Sequence, residues 1–171
     1  RIDRANNKRD YISPVQKKGE KPFRYNWQTP ILLSSHNQEI LYMGSNFLHR
    51  SMNQGQTWTA ISPDLTQGAK EGNVAFGTIA AISESPLQFG LLYTGSDDGL
   101  VHVSKDGGAT WNIISGNLPQ NRWISRVVAS AHKKERVYVT LNGYRNDDFT
   151  TYVYMSDDFG QTWINIATNL P

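Results

Sequence analysis

The chain has 171 residues, no cysteine and a formal net charge of +2, and 38% of its residues are hydrophobic. That length suffices for a domain with its own core, and the composition is too apolar for a disordered chain. The lack of cysteine excludes disulfides, zinc sites built on thiolates and cysteine nucleophiles. No apolar run is long enough to cross a bilayer, so we predict no membrane span.

The first 24 residues are basic, with Lys and Arg well in excess of Asp and Glu. A basic arm of this kind can contact nucleic acid. This one lacks the interleaved aromatic residues and the recognised motifs of nucleic-acid binders. We therefore interpret residues 1–24 as a solvated connector and predict no nucleic-acid partner.

From residue 25 onward, short β-rich runs follow one another in a regular order. The first two runs of each repeat lie at residues 30–33 and 40–43, 78–82 and 91–94, and 125–129 and 136–139. A third strand and a Trp-initiated fourth strand complete each repeat of about fifty residues, which is typical of a β-propeller blade. The sequence therefore predicts an all-β fold, a partial β-propeller of three four-stranded antiparallel blades. We place the blades at residues 25–72, 73–120 and 121–171.

An eight-residue motif, Ser-x-(Asp/Asn)-x-Gly-x-Thr-Trp, occurs once in each repeat, at residues 51–58, 104–111 and 156–163. Its Gly permits positive φ in a tight turn, and its Asp or Asn accepts hydrogen bonds from amides of that turn. Its Trp buries a large apolar area between sheets. We assign structural roles to Ser51, Asn53, Gly55, Trp58, Ser104, Asp106, Gly108, Trp111, Ser156, Asp158, Gly160 and Trp163.

This motif resembles the Asp-box, or bacterial neuraminidase repeat, of sialidases, xyloglucan-degrading glycoside hydrolases and sortilin-type receptors. The segments RYNWQTPI (residues 24–31) and ISPDLT (residues 61–66) are most similar to large secreted bacterial sortilin-like proteins, often labelled glycosyl hydrolases. The resemblance covers about residues 25–171. It implies that residues 1–24 end a preceding blade and add a linker, and that the chain is a fragment of an extracellular or periplasmic protein.

Propellers typically need four to eight blades to close a ring. We therefore expect the partners to be other blades of a parent protein or a second copy of the chain. Because fold does not determine function, several functions stay open. The first is a non-catalytic binding or scaffold module that presents loops to a protein or a glycan. The alternatives are part of a sialidase-like or xyloglucanase-like glycoside hydrolase, and a structural spacer.

Two pairs of adjacent carboxylates are candidates for the hydrolase alternative, because glycoside hydrolysis uses two carboxyl groups. Asp97 and Asp98 precede Gly99 in a predicted hairpin turn, so a turn role competes with a catalytic one. Asp147 and Asp148 lie in an insertion of about seven residues in the third repeat. Loops on a rigid scaffold are where binding groups are usually placed.

The same insertion holds Tyr144, Arg145 and Asn146, our candidate ligand-binding residues, because such side chains can stack on and hydrogen-bond a sugar. A solvated hairpin extension competes with that interpretation. Trp27 and Trp123 are possible sugar platforms, although packing between blades is the favoured expectation for both. The four histidines are scattered along the chain. We therefore predict no metal site, and no motif indicates a cofactor.

Overall fold

The computed structural model describes residues 1–169, so the end of the predicted third repeat, Leu170 and Pro171, lies outside the described residues. Three four-stranded antiparallel sheets confirm the predicted partial propeller fold. The first sheet holds β1 (Ile31–Leu33), β2 (Leu41–Gly44), β3 (Leu48–Ser51) and β4 (Thr59–Ala60). The second holds β5 (Ile79–Glu84), β6 (Leu92–Ser96), β7 (Val101–Ser104) and β8 (Asn112–Ile113). The third holds β9 (Trp123–Ala129), β10 (Val137–Gly143), β11 (Asp148–Ser156) and β12 (Ile164–Asn165).

Within every sheet the strands pair in chain order, so each sheet is a simple meander. The predicted insertion of the third repeat lengthens β10 and β11 instead of forming a separate loop. A short 3-10 turn, Tyr144–Asn146, and the left-handed residue Asp147 join these two strands. The long hairpin therefore projects Tyr144 and its neighbours beyond the turns of the other two sheets.

Two apolar cores lie between the sheets, where neighbouring blades face each other. One core joins the first and second sheets and includes Tyr42, Leu48 and Ile79. The other joins the second and third sheets and includes Tyr93 and Ile124. The blades therefore stabilise one another by burying apolar surface between them.

The three copies of the repeated motif, which we call the repeat hairpins, fold into the same tight turn. In each, the Ser hydroxyl accepts a hydrogen bond from the Gly amide, at 2.8, 2.8 and 2.7 Å. The side chain of Asn53, Asp106 or Asp158 accepts another from the Thr amide, at 2.9 Å in all three. The Gly residues adopt φ of +85°, +98° and +88°, a conformation that side chains disfavour.

The antiparallel meander gives every blade two distinct ends. The turns between first and second strands and between third and fourth strands share one end, which we call the hairpin end. The two turns of a blade are joined there by equivalent backbone hydrogen bonds. Examples are the bond from Gln54 N to Glu39 O and the bond from Phe159 N to Glu135 O, both at 2.8 Å. The turns between second and third strands and the links between blades share the other end, which we call the loop end.

Candidate functional site

A cavity of about 560 Å³ opens at the loop end. Four segments line it: the link between β4 and β5, the β6–β7 turn, the start of β9 and the β10–β11 turn. Asp97 and Asp98 meet Tyr144, Arg145 and Asn146 there. The structure thus gathers into one cavity two sets of candidate residues that lie in different repeats of the sequence.

Asp97 is a fully buried carboxylate on the wall of this cavity. Its Oδ1 accepts a hydrogen bond from the amide of Thr78 at 2.8 Å. Its Oδ2 accepts no hydrogen bond from any residue that the structure describes. That oxygen lies 3.6 Å from Nη1 of Arg145, close enough for an ion pair but too far for a good hydrogen bond.

The Arg145 guanidinium covers the inner wall of the cavity. It lies 4.4 Å from the centroid of the Trp123 ring, a favourable cation–π distance. Its Nη2 donates to the carbonyl oxygen of Ala75 at 3.0 Å, and its Nε donates to the Tyr144 hydroxyl at 3.2 Å. Arg145 therefore joins the third-blade turn to the link that precedes the second blade.

Asp98 has a different role from its neighbour because both its oxygens are already used. Oδ1 accepts from the Ser96 hydroxyl at 2.5 Å, and Oδ2 accepts from the Gln67 amide at 2.7 Å. Burial raises the pKa of Asp98 above its usual value, and the charge of Asp97 adds to that rise. Through these two hydrogen bonds, Asp98 connects the β6–β7 turn to the link between β4 and β5.

The second predicted carboxylate pair does not line the cavity in the part of the chain that the structure describes. Asp148 Oδ2 accepts from the Tyr152 hydroxyl at 2.7 Å and from Arg122 Nε at 2.9 Å. Hydrogen bonds from Tyr152 and Thr150, together with Arg122, hold the pKa of Asp148 well below its usual range. Asp147 is exposed at the turn with φ of +52°. The structure therefore does not bring Asp147 and Asp148 into the cavity.

A second cavity, of about 340 Å³, lies on the other side of Trp123 and Tyr144. Trp27 and Asn142 also line it. The expectation that Trp27 packs between blades is wrong, because Trp27 is 84% exposed. The Oδ1 atom of Asn142 is buried and has no hydrogen-bond partner among the described residues. Trp123 and Tyr144 line both cavities.

Sequence reasoning missed the link between β4 and β5, which supplies Lys70, Glu71 and Phe76 to the cavity. One sequence signal could have revealed it. The link spans residues 61–78, whereas the matching link between β8 and β9 spans only residues 114–122. A longer connection at one blade boundary indicates a segment with a role beyond joining strands.

Within residues 1–169, no three His, Asp or Glu side chains are grouped so that they could hold a metal ion. No helix in that range is long and apolar enough to cross a membrane. The cavity is lined by aromatic rings, amides, an aliphatic side chain, a guanidinium, an ammonium and carboxylates.

Neither a protein-family model nor a curated protein matches this chain. Solved structures do resemble it. The GH74 xyloglucanase of Xanthomonas campestris is 20% identical with a TM-score of 0.58, over 80% of this chain and 21% of that one. YCF48 of Cyanidioschyzon merolae is 15% identical with a TM-score of 0.54, over 87% of this chain and 39% of that one.

YCF48 bound to a D1 peptide is also similar, at 16% identity and a TM-score of 0.51, over 89% of this chain and 46% of that one. This chain thus spans about a fifth of the hydrolase and less than half of the YCF48 chains. Similarity at such low identity concerns architecture, since one fold hosts unrelated functions. The chain has a propeller-like fold.

Proposed function

We propose that this chain is a non-catalytic binding module of a larger secreted protein of the Asp-box, sortilin-like propeller class, extracellular or periplasmic. Its ligand, a glycan or a protein segment, docks in the loop-end cavity. One observation carries the proposal: Asp97, Trp123 and Arg145, from two different blades, converge on a cavity rimmed by a long projecting hairpin.

The polar groups of the cavity support binding better than a purely structural role. A buried carboxylate with an unsatisfied oxygen is unfavourable for folding, because burial removes its hydration. Asp97 Oδ2 is such a group, and its nearest cation sits 3.6 Å away on a turn beside the cavity. A ligand that donates a hydrogen bond near this pair would satisfy it.

The size and lining of the two cavities support a ligand of several residues or sugar units. Binding sites typically have volumes of about 300–1,000 Å³ and mix apolar walls with a few polar groups. The larger cavity, of about 560 Å³, falls in that range. Trp27 offers an uncovered ring face in the adjoining cavity, because 84% of its surface is exposed.

The carboxylates argue against catalysis by this chain alone. A glycoside hydrolase needs one carboxyl group as acid and a second as nucleophile or base. Both oxygens of Asp98 are hydrogen-bonded, and Asp148 is paired with Arg122 away from the cavity. Asp97 therefore lacks a partner among the four candidate carboxylates.

The two named neighbours are consistent with either ligand class. One is called a xyloglucanase and another is shown with a D1 peptide. A propeller of this general shape thus serves a polysaccharide enzyme in one case and a peptide-binding protein in the other. The binding test therefore includes both oligosaccharides and peptides.

The test is a titration of the intact chain with xyloglucan oligosaccharides, sialyl-lactose and a peptide library, followed by tryptophan fluorescence and calorimetry. We expect saturable binding by one member. The Arg145→Ala variant should weaken it at least about tenfold, equivalent to about 1.4 kcal/mol. The matched control, Asp147→Asn, changes the same turn outside the cavity and should bind normally. If a ligand binds saturably and Arg145→Ala does not weaken that binding, the ligand does not dock in this cavity.

A hydrolase remains the second candidate because Glu71 lines the cavity together with Asp97. Its test is release of reducing sugar from xyloglucan or of sialic acid from sialyl-lactose by the intact chain. We expect none. Turnover that is abolished by Asp97→Asn and by Glu71→Gln would replace the binding proposal with the enzymatic one.

A further inference from the structure

The link between β4 and β5 contains a loop, residues 68–77, whose two ends touch. A Cβ atom on Gly77 would collide with the carbonyl oxygen of Gly68, so the two backbones are in direct contact there. Surface loops of about 6–16 residues whose ends lie close together are frequently functional. This loop lines the loop-end cavity with Lys70 and Phe76 among its residues. We call residues 68–77 the cavity loop.

Both ends of the cavity loop are held by the β6–β7 turn. Gln67, which precedes the loop, donates its backbone amide to Asp98 Oδ2 at 2.7 Å. Thr78, which follows the loop, donates its amide to Asp97 Oδ1 at 2.8 Å. Gly77 itself is buried. The two ends are therefore fixed points, and any movement of the loop takes place between them.

The middle of the cavity loop, residues 69–74, is exposed throughout. Among the residues that the structure describes, no backbone group of residues 69–76 hydrogen-bonds to another backbone group. Within residues 1–169, the hydrogen bond that reaches this stretch from outside comes from Arg145, whose Nη2 donates to Ala75 O at 3.0 Å. The same guanidinium lies 5.9 Å from the centroid of the Phe76 ring. Because segments with few backbone hydrogen bonds and little burial open at low free energy, Arg145 is the contact that holds the loop against the cavity.

The side chain of Asp97 has no exposed surface, although its Oδ2 atom has no hydrogen-bond partner among the described residues. A ligand atom therefore reaches this oxygen only after a covering group has moved. Arg145 lies 3.6 Å from it and also contacts the cavity loop, so displacement of Arg145 releases both. Exposure of Asp97 and opening of the cavity loop are thus coupled through one side chain.

We infer that the cavity loop is a lid over the loop-end cavity and that Arg145 holds this lid closed over Asp97. Gly68 is the hinge at one end, because it has a φ of +107° and no atom lies within 4 Å of its Cβ position. Release of Ala75 O by Arg145 opens the lid, and a ligand then reaches Asp97 Oδ2. Arg145 afterwards closes over the bound ligand, which agrees with the weaker binding expected of Arg145→Ala. This control of ligand entry rests on the proposed binding function, whereas the movement of the lid does not.

The test is limited proteolysis of the intact chain, without ligand, by an endoproteinase that cleaves after Glu. We expect Arg145→Ala to speed cleavage after Glu71 at least about fivefold, because cleavage follows the population of the opened segment. The matched control, Asp147→Asn, changes an exposed residue of the same turn and should be cleaved at the rate of the unaltered chain. Cleavage after Glu39, which is exposed at the hairpin end, is the internal reference and should stay unchanged.

A second variant keeps the test decisive if Arg145→Ala loses its fold. Arg145→Lys retains the positive charge but lacks the forked guanidinium, so it should also speed cleavage after Glu71, by less than Arg145→Ala. Unchanged cleavage after Glu71 in both variants would overturn the inference. An equal rise after Glu71 and Glu39 would overturn it too, since Arg145 would then stabilise the whole fold and not this loop.

The control of ligand entry has its own readout. A member of the ligand panel that binds should slow cleavage after Glu71 relative to cleavage after Glu39, because the lid closes over it. Binding that leaves this ratio unchanged would overturn the control of entry. Since the first comparison uses no ligand, a lid that fails it leaves the proposed binding function standing, and a panel without a binder contradicts that function and not the lid.

Discussion

The two ends of the blades differ in how closely the three repeats resemble one another. At the hairpin end, all three repeats form the same hydrogen bonds from the Gly amide to Ser and from the Thr amide to Asn or Asp, and their lengths agree within 0.1 Å. In all three, the Trp indole also donates to the carbonyl oxygen of an Ile. At the loop end, the hairpins formed by second and third strands differ, because β10 and β11 hold 7 and 9 residues and the corresponding strands of the other blades hold 4 or 5. Packing between blades fixes the hairpin end because any change disturbs a neighbouring blade. The side chains of the loop-end turns differ from blade to blade, so binding groups can be placed there.

The largest expected loss of stability comes from removing a packing contact between blades at the hairpin end. Trp111→Ala removes a half-buried ring, which packs on the first core, and its hydrogen bond to Ile61, and should lower the free energy of unfolding by about 3 kcal/mol. Trp27→Ala at the loop end should change it by under about 0.5 kcal/mol, because that ring is exposed. Urea denaturation measures both. Equal losses would mean that the two ends are not packed differently.

The second effect comes from adding a single methyl group at the hairpin end. Gly108→Ala introduces a Cβ at φ of +98°, 2.7 Å from Ile61 O, and should destabilise the chain by about 1–3 kcal/mol. Gly116→Ala is the matched control, because nothing lies within 4 Å of its Cβ position. Its unfolding free energy should stay unchanged or rise slightly. An unchanged unfolding free energy for Gly108→Ala would show that the packing between the first and second blades is looser than these contacts indicate.

The third effect is a dependence of stability on pH. Hydrogen bonds from Thr110 and Ser104 lower the pKa of Asp106 from 3.8 to about 2, and those from Thr162 and Ser156 do the same for Asp158. A folded pKa below the unfolded one means stability that is present above about pH 4 and lost as the pH falls towards 2. Unfolding midpoints between pH 5 and pH 2 measure this loss.

The first repeat hairpin supplies the control for that prediction, since Asn53 makes the same backbone hydrogen bond without a titrating group. Asp106→Asn should therefore fold normally at pH 7 and lose less stability than the unaltered chain between pH 4 and pH 2. An identical pH profile for the two proteins would show that Asp106 does not contribute to the acid sensitivity.

The smallest effect is expected at the tip of the third-blade hairpin. Asp147→Asn should change the unfolding free energy by under about 0.5 kcal/mol, because the side chain is exposed and Asn tolerates the left-handed conformation. Asp148→Asn should destabilise the chain more, since it weakens the contacts to Arg122 and Tyr152. Thermal unfolding compares the two. The reverse order would mean that the tip of the hairpin is packed.

The fold could be predicted from the sequence because the repeat hairpins report it directly. Their spacing defines the blades, and their residues form local contacts within eight positions of each other. The site could be predicted only in pieces. Arg145 and Asp97 are 48 positions apart, and nothing in either segment indicates that they meet. Trp27 carried no sequence signal for exposure, since aromatic residues at blade starts pack inward or point outward depending on their neighbours.

The most direct test of the account is hydrogen–deuterium exchange with and without the member of the ligand panel that binds. We expect added protection at the loop end, in residues 70–76, 96–99 and 143–147, and unchanged exchange in the three repeat hairpins. Protection confined to residues 51–58, 104–111 and 156–163 would contradict the account, because it would place the ligand at the end assigned to packing between blades.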